Sequence, residues 1–585
     1  MNLPHLSISF AAGATRKLEL AIENCTIPAR TFDSEQATLI VFGTPIHGNN
    51  IVYNEIWAEV TDDGLPPGFL GDLNGEFLLV TLDKKSGTLR ISSDRYTSIP
   101  LFYVVDDSGF FGSVFYKDVR KHLNRHNRSK INEHAVFEFL WLQRLLGTKT
   151  YDSSSSFLLA ATTLTYRSGA ATLQPYWVPS FEKTRASVKD SAHQLSGLLR
   201  QSIRRKTSDN PGRIGLFLSG GTDSRTVLGS FAEPPASYTI GVRDNNEVRV
   251  ARTIAEVAQS PHRFIQINED PYSDKLDELT MLGGGMHAFD HGIFFEPSQQ
   301  VAPEVDVMFH GHGIDYMFQG MYLLTRNLNL LGRRTSFKRF DSIGQDFPGE
   351  YINRIGHRLK DINLVEYVVG NRRTEMLEKL RHSVAEIQKL GEAFCRTPDD
   401  QWEYMLIHGL ARHYPFTNLT SMGSAVEQRV AAFDNDVFDL YLSLPKSHRL
   451  DGKIAKNTLR ILSPKLAAVP TANTNQGPVH TALEKDARKL LGLVKRRVGL
   501  ERTNRLRATA EERTWPDRGR MFATQPGLTD VAMALRKSEA LASLGFLDMD
   551  RLGRDIPDWL ESPGEGSGAI MTFLVTIDRF IKCDQ

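Results

Sequence analysis

Along its first 180 residues the chain alternates short apolar runs with small polar breaks. LSISF, ATLIVFG, GEFLLVTLD, TLRISSD, IPLFYVVD and FFGSVF are each rich in β-branched and aromatic residues and are punctuated by Gly, Asp, Asn and Ser. This pattern predicts an antiparallel, sheet-rich layer. One helix is expected over 132–146 (NEHAVFEFLWLQRLL), followed by a loop and a strand pair ending at Tyr176-Trp177. From about Ala186 the period changes. SVKDSAHQLSGLLRQSIRRKT spaces its apolar residues as a helix does and runs straight into the strand RIGLFLS. A glycine loop, a helix, the strand ASYTIGV, the helix EVRVARTIAEVAQ and the strand HRFIQIN follow, and such alternation predicts a parallel sheet with crossover helices. Beyond about Lys360 the expectation is helix to the end. No fixed-period repeat is present.

Length then sets the scale, since 585 residues leave room for two to four domains. Charge excludes more than it suggests. Seventy Lys and Arg nearly balance 69 Asp and Glu, so no global field argues for nucleic acid or an anionic membrane as partner. The basic stretch 495–520 is read as a solvated helical face. Cys25, Cys395 and Cys583 are too scattered for a disulfide framework or a CxxC metal site, no run reaches the ~18 apolar residues of a membrane span, and the N-terminus lacks a secretory pattern. A cytoplasmic protein is expected.

The densest chemistry lies at LFLSGGTDSRTVL, residues 216–228. Gly220 and Gly221 are expected to let backbone amides approach a ligand and to adopt φ values that other residues resist, ahead of a helix whose N-terminus favours anions. The loop is neither GxxxxGK[ST] nor GxGxxG. Asp223 would repel bound phosphates unless a divalent cation lay between, which implies Mg²⁺. A second run, FHGHGIDYMFQG (309–320), again sets glycines beside one carboxylate, Asp315. His310 and His312 alone would leave zinc incompletely coordinated.

The strand, SGGxDS loop and helix resemble the pyrophosphate loop of ATP pyrophosphatases, which cleave ATP between the α- and β-phosphates to adenylate a substrate. GxGxDxxFxG resembles the asparagine synthetase branch. That resemblance implies ATP held by Leu218, Ser219, Gly220, Gly221, Asp223, Ser224, Gly241, Gly311 and Gly313, with Asp223 and Asp315 as Mg²⁺ ligands. It also matches TIGVRDNNEVRVARTIA, with Glu247 four before Ala251. SAVEQRV resembles the family's VExRVP segment and FDLYLSLPKSHRLDGKIAKNTLR its SLP turn and Lys-x-x-x-Arg helix, so Glu427, Arg429 and Lys456 are the implied catalytic residues, facing the acyl-adenylate. LNGEF (73–77) and DRYTSIPLFY (94–103) resemble the glutamine-hydrolysing domain. The implied fold is an Ntn-hydrolase-like antiparallel sandwich over 1–180, then a parallel α/β adenylating domain of the adenine nucleotide α-hydrolase type over 186–585 with a helical C-terminal part.

The glutaminase of that family needs a cysteine freed at its N-terminus, where its α-amine relays the proton. Residue 2 is Asn2 and Cys25 lies inside the chain, so glutamine hydrolysis is not expected. A synthetase body without that nucleophile resembles β-lactam and carbapenam synthetases and lasso peptide macrolactam cyclases, in which a tethered amine attacks the adenylated carboxylate at high effective molarity. A ribosomal precursor peptide is the favoured substrate, and a leader-peptide protease and a precursor-binding protein are the partners this implies. A small-molecule lactam synthetase, an amide synthetase using free ammonia, and a silent scaffold stand as alternatives. A tRNA-modifying role is disfavoured by the neutral chain. The family lysine is replaced by Asn475 and Gln476, the VExRVP proline by Ala431, and Tyr414 is a candidate base partner by neighbourhood alone.

Overall fold

The computed structural model describes residues 3–11, 17–330, 333–355, 359, 362–408, 410, 416–474, 477, 484, 486–487 and 517–583. Asn2, Tyr414, Asn475, Gln476 and most of the 495–520 stretch lie outside them.

Two antiparallel sheets form the first layer. One orders its strands Ser156–Phe157, Phe102–Asp106, Gly109–Ser113, His5–Ala11, Leu18–Glu23. The other runs Ala170–Pro175, Thr162–Arg167, Thr88–Ser93, Asn74–Asp83, Ala37–His47, Ala29–Asp33. Leu6, Ile8 and Phe10 of the first sheet share one core with Ile40, Phe42, Leu78 and Val80 of the second. The opposite faces of those central strands are buried too: Leu39, Val41, Phe77 and Leu79 pack against Ile56 and Leu70 of two short helices, Asn54–Ala58 and Pro67–Asp72. Burial on both faces explains why ATLIVFG and GEFLLV read as continuous apolar runs rather than alternating ones. The expected helix forms over Glu133–Leu142, with Asn132 Oδ1 accepting from the Ala135 amide at 3.1 Å and Gln143 closing it at φ 60°.

The second layer is a five-stranded, all-parallel sheet in the order His262–Gln266, Ala236–Gly241, Ile214–Phe217, Val307–His310, Glu427–Val430. From Ile214–Phe217 the chain builds outward one way through two strands, then returns to the other side. The strand order therefore reverses between Ile214–Phe217 and Val307–His310, and in open α/β sheets ligands bind in the crevice at the carboxyl ends flanking such a reversal. Two elements depart from expectation. Glu427–Val430 is an edge strand in a region that reads as helix, and Thr325–Leu330 pairs with Arg333–Phe340 as a separate hairpin. A four-residue strand is too short to print a period, and only docking on Val307–His310 decides its state.

Helices dominate the rest of the C-terminal part. The last, Glu565–Lys582, is buried on nearly every face, and its Phe573 and Phe580 pack on Phe139 and Tyr116 of the first layer (ring centroids 5.4 and 5.8 Å apart). Among the described residues no helix is long and apolar enough to cross a membrane.

Candidate active site

Both acid-bearing loops leave the sheet at the reversal point, Ser219–Asp223 after one strand and Gly311–Asp315 after the other. They wall a cavity of about 420 Å³ lined by Leu218, Ser219, Asp223, Ser224, Glu247, His310, Gly311, His312 and Asp315. The first loop curls on itself. Ser224 Oγ accepts from the Ser219 amide at 3.0 Å and lies 3.1 Å from Ser219 Oγ, which accepts from the Gly221 amide at 3.2 Å. The helix Asp223–Leu228 follows at once.

The expected reason for its glycines is corrected by the backbone, because neither Gly220 nor Gly221 has positive φ. Close packing requires Gly220 instead: a Cβ there would stand 2.5 Å from Ala472 Cβ, where the Ala472 amide donates to the Gly220 carbonyl at 3.1 Å. At Gly311 a Cβ would come within 2.4 Å of the Ser224 amide nitrogen, so one acid loop rests directly on the other. Gly313, at φ 91°, does need glycine's freedom and opens the helix Ile314–Phe318. Gly241 ends its strand beside Val248 and does not line the cavity, whereas its neighbours Thr239 and Ile240 do.

Asp223 and Asp315 form the electrostatic centre. Burial, then the Asp315 charge, pushes the Asp223 carboxyl up to about 8, and burial lifts Asp315 to about 6. Gln319 donates its amide to Asp223 and, at 2.7 Å, to Thr222 Oγ1. Among the described residues neither aspartate has an ion-pair partner. Two half-buried carboxylates that oppose each other's ionisation, with hard oxygen donors, fit a divalent cation such as Mg²⁺. No group of three or more His, Cys, Asp or Glu gathers among the described residues, so phosphate oxygens and water would complete its shell. Burial holds His310 at about 3 and His312 at about 4, so both imidazoles face the cavity neutral.

Glu427 and Arg429 stand apart from this pair. Glu427 pairs in register with Val307, at the start of its strand, three residues before the end from which the acid loop leaves. It lines a second cavity of about 110 Å³ between the two layers, alongside Gly43, Thr44, Glu76 and Ser98. The helix Phe416–Met422 separates the two spaces: Asn418 and Met422 face the larger, Leu419 and Thr420 the smaller. Arg429 lines neither cavity. Its guanidinium is bound to Asp209 through two 2.7 Å bonds and to Glu427 Oε1 at 2.7 Å, which makes it the residue that orients Glu427. Burial raises the Glu427 carboxyl. Lys456 lies on Lys453–Leu462. Its Cε and the Gln319 Cα both come within 4.0 Å of where a Gly452 Cβ would be, and Lys456 is not among the residues lining either cavity.

Several residues at the site carry no signal in the sequence. Arg225 is fully buried and donates to the carbonyls of Leu466, Val469 and Pro470 at 3.1, 2.5 and 3.1 Å, tying the stretch before Asn475 onto the glycine loop. Arg518 chelates Asp290 (2.7 and 3.0 Å) and donates to His291 Nε2 at 3.1 Å, so a C-terminal helix braces a cavity wall. An arginine only donates, so His291 accepts at Nε2 and carries its proton on Nδ1.

The first layer's two motifs lie at the junction of the layers. Asn74 donates to Asp434 at 2.9 Å and accepts from the Asn435 amide at 2.9 Å. Glu76 pairs with the wholly buried Lys206 at 2.8 Å and accepts from the Val430 amide at 2.8 Å. Asp94 gathers the amides of Phe77, Tyr96 and Ser98, while Tyr96 stacks on Phe433 at 4.7 Å.

Residues 194–475 match the asparagine synthase family. That segment is asparagine synthetase-like. A protein named as glutamine-hydrolysing asparagine synthetase 2 of Methanocaldococcus jannaschii is 23% identical over 356 residues, 55% of this chain and 68% of that one. A solved structure described as the allosteric regulatory enzyme of purine biosynthesis aligns with 55% of this chain and 70% of its own at 8% identity and a TM-score of 0.18, a likeness too slight to say anything of the fold. The family match spans both acid loops, Glu427, Arg429 and Lys456, and it stops at Asn475.

Proposed function

We propose that this asparagine synthetase-like chain, in general terms an ATP-dependent amide-forming ligase, converts ATP to AMP and pyrophosphate and closes an internal amide, as in macrolactam formation on a lasso-type precursor peptide. The observation that carries the reading is the uncompensated Asp223–Asp315 pair at the point where the sheet reverses, beside a curled glycine loop. Residues 1–180 are proposed as a degenerate glutaminase-like unit and 186–585 as the adenylating unit. A leader-peptide protease and a precursor-binding protein are the proposed partners. The cytoplasm is the proposed compartment, in keeping with the three free cysteines.

In this reading a substrate carboxylate oxygen attacks the α-phosphorus and pyrophosphate leaves. The amine of the same substrate then attacks the acyl carbon, AMP leaves with the C–O electron pair, and the amine gives up one proton. Mg²⁺, held by Asp223 and Asp315, would neutralise phosphate charge. Ser219, Ser224 and the loop amides cradle the phosphates, and Lys456 adds a cation beside Gln319. The amine would approach from the second cavity, where Glu427, oriented by Arg429 and less acidic than usual through burial, takes its proton. A tethered amine needs no ammonia from glutamine, in keeping with the single cysteine of residues 1–180, Cys25, whose thiol burial pushes up, away from its nucleophilic form. The test is the mass of a precursor peptide after incubation with this protein, protease, ATP and Mg²⁺. Loss of one water, absent with Asp223→Ala and indifferent to glutamine, supports the reading. AMP formed only with ammonia or with small amino acids defeats it.

A further inference from the structure

Three buried polar atoms at the boundary of the two cavities are satisfied by nothing in the described chain. His310, 5% exposed, lines the larger cavity. Its Nδ1 accepts from the His312 amide at 3.3 Å, so the neutral ring carries its proton on Nε2. Gln428 stands level with Met308 on the neighbouring strand, two residues before His310 and on the same face of the sheet. Its amide nitrogen donates to the Leu419 carbonyl, which leaves Oε1 as the open end, and it lines the smaller cavity with Glu427. Asn418, on Phe416–Met422, lines the larger one. His310 Nε2, Gln428 Oε1 and Asn418 Oδ1 are all buried without a hydrogen-bond partner among the described residues. Gln428 is close enough to act on the His310 ring, but their geometry falls short of a hydrogen bond.

An unpaired buried donor or acceptor is costly, so three of them at one boundary point to a ligand that pairs them. One donor and two acceptors are also the complement of the bond-forming step. A primary amine attacking an acyl carbon has two N–H bonds to donate, and the acyl oxygen gains charge as the carbonyl pair moves onto it. We infer that His310 Nε2–H donates to that acyl oxygen while Gln428 Oε1 and Asn418 Oδ1 accept from the amine, turning its lone pair toward the carbon. This rests on the ligase reading of the proposed function and adds to it a substrate class, since a secondary amine would leave one acceptor unpaired. In the step the C–N bond forms and the carbonyl pair moves to oxygen. That pair returns as AMP leaves with the C–O electrons, and the amine proton goes to Glu427. His310 keeps its own proton throughout.

The test is calorimetric binding to the full chain of 5′-O-(N-acetylsulfamoyl)adenosine, an acyl-adenylate mimic with a carbonyl oxygen, beside 5′-O-sulfamoyladenosine, which lacks that oxygen. His310→Ala should weaken the acetylated compound at least about tenfold and leave the other unchanged, and His310→Gln, which keeps an N–H donor, should recover part of the loss. With the precursor peptide, pyrophosphate exchange should hold within about threefold in Gln428→Met and Asn418→Leu while ring closure slows about tenfold or more. A peptide with an N-methylated terminus should close poorly on the parent and lose little more on those variants. Melting curves of all four variants should match the parent. Equal losses for the two compounds in His310→Ala, or a loss for neither, overturns the inference, the second being the outcome if these atoms hold only ordered water. If the parent binds neither compound, the ligase reading falls and takes the inference with it. Binding with the expected dependence on His310 but no ring closure leaves the inference standing and defeats the peptide reading alone.

Discussion

Glu76 and Asp223 are both acids near glycines, in LNGEF and SGGTDS, and the fold treats them oppositely: Glu76 is buried between the layers, and Asp223 is half-buried at a cavity wall. Glu76 meets the Lys206 ammonium and the Val430 amide, so its charge is answered from within the chain. Asp223 meets Asp315, a second acid, and one amide from Gln319. The deeper burial of Glu76 therefore does not mark it as the functional carboxylate. An acid with a built-in counter-ion holds two layers together, whereas an acid left facing another acid at a cavity wall is arranged for a cation brought from outside.

The largest test of that contrast is Asp223→Asn or Asp315→Asn. Each should cut AMP formation by about a thousandfold or more, while the unliganded protein melts no lower than the parent, because a repulsive pair has been relieved. Losing stability together with activity would erase the distinction. The opposite experiment is Lys206→Met, which leaves Glu76 buried without its partner and should cost about 3–5 kcal/mol in denaturant unfolding, with the Glu76→Gln, Lys206→Met double variant recovering part of it.

The pH dependence of the apo protein sharpens the comparison. Asp223 and Asp315 have folded pKa values of about 8 and about 6, above the unfolded 3.8, so the folded state holds more protons between these limits. Their contribution is fully present below about 3.8 and is lost as pH rises through about 6 to about 8. The melting temperature should fall over that window, and Asp223→Asn should flatten the fall. A slope unchanged by the substitution would place the titration elsewhere. Smaller still is Gly311→Ala, whose methyl would press on the Ser224 amide nitrogen. It should cost about 1–3 kcal/mol and raise the KM for ATP more than it lowers kcat. Least of all, Cys25→Ala should change amide formation by less than about twofold whether or not glutamine is present, since its thiol serves packing.

Much of this was legible in order along the chain. The change of period near Ala186, the two acid loops and the parallel strands after them follow from local spacing, and both loops do reach one cavity. Glu247 lines that cavity. The positions of Glu427 and Arg429 were not legible. Their motif names the residues but not the register, and the register sets Glu427 opposite Val307, in the space between the layers rather than in the nucleotide cavity. Arg518, Asp290 and His291 come together across more than two hundred residues of chain, and no spacing rule connects them.

The sequence by itself determined the kinds of element and the loop that curls, because these depend on neighbours within a turn or two of chain. Only the tertiary structure decided which acid received a lysine and which received another acid. It also decided why Gly220 and Gly311 must be glycine, since both answers depend on what a distant segment brings within 3 Å.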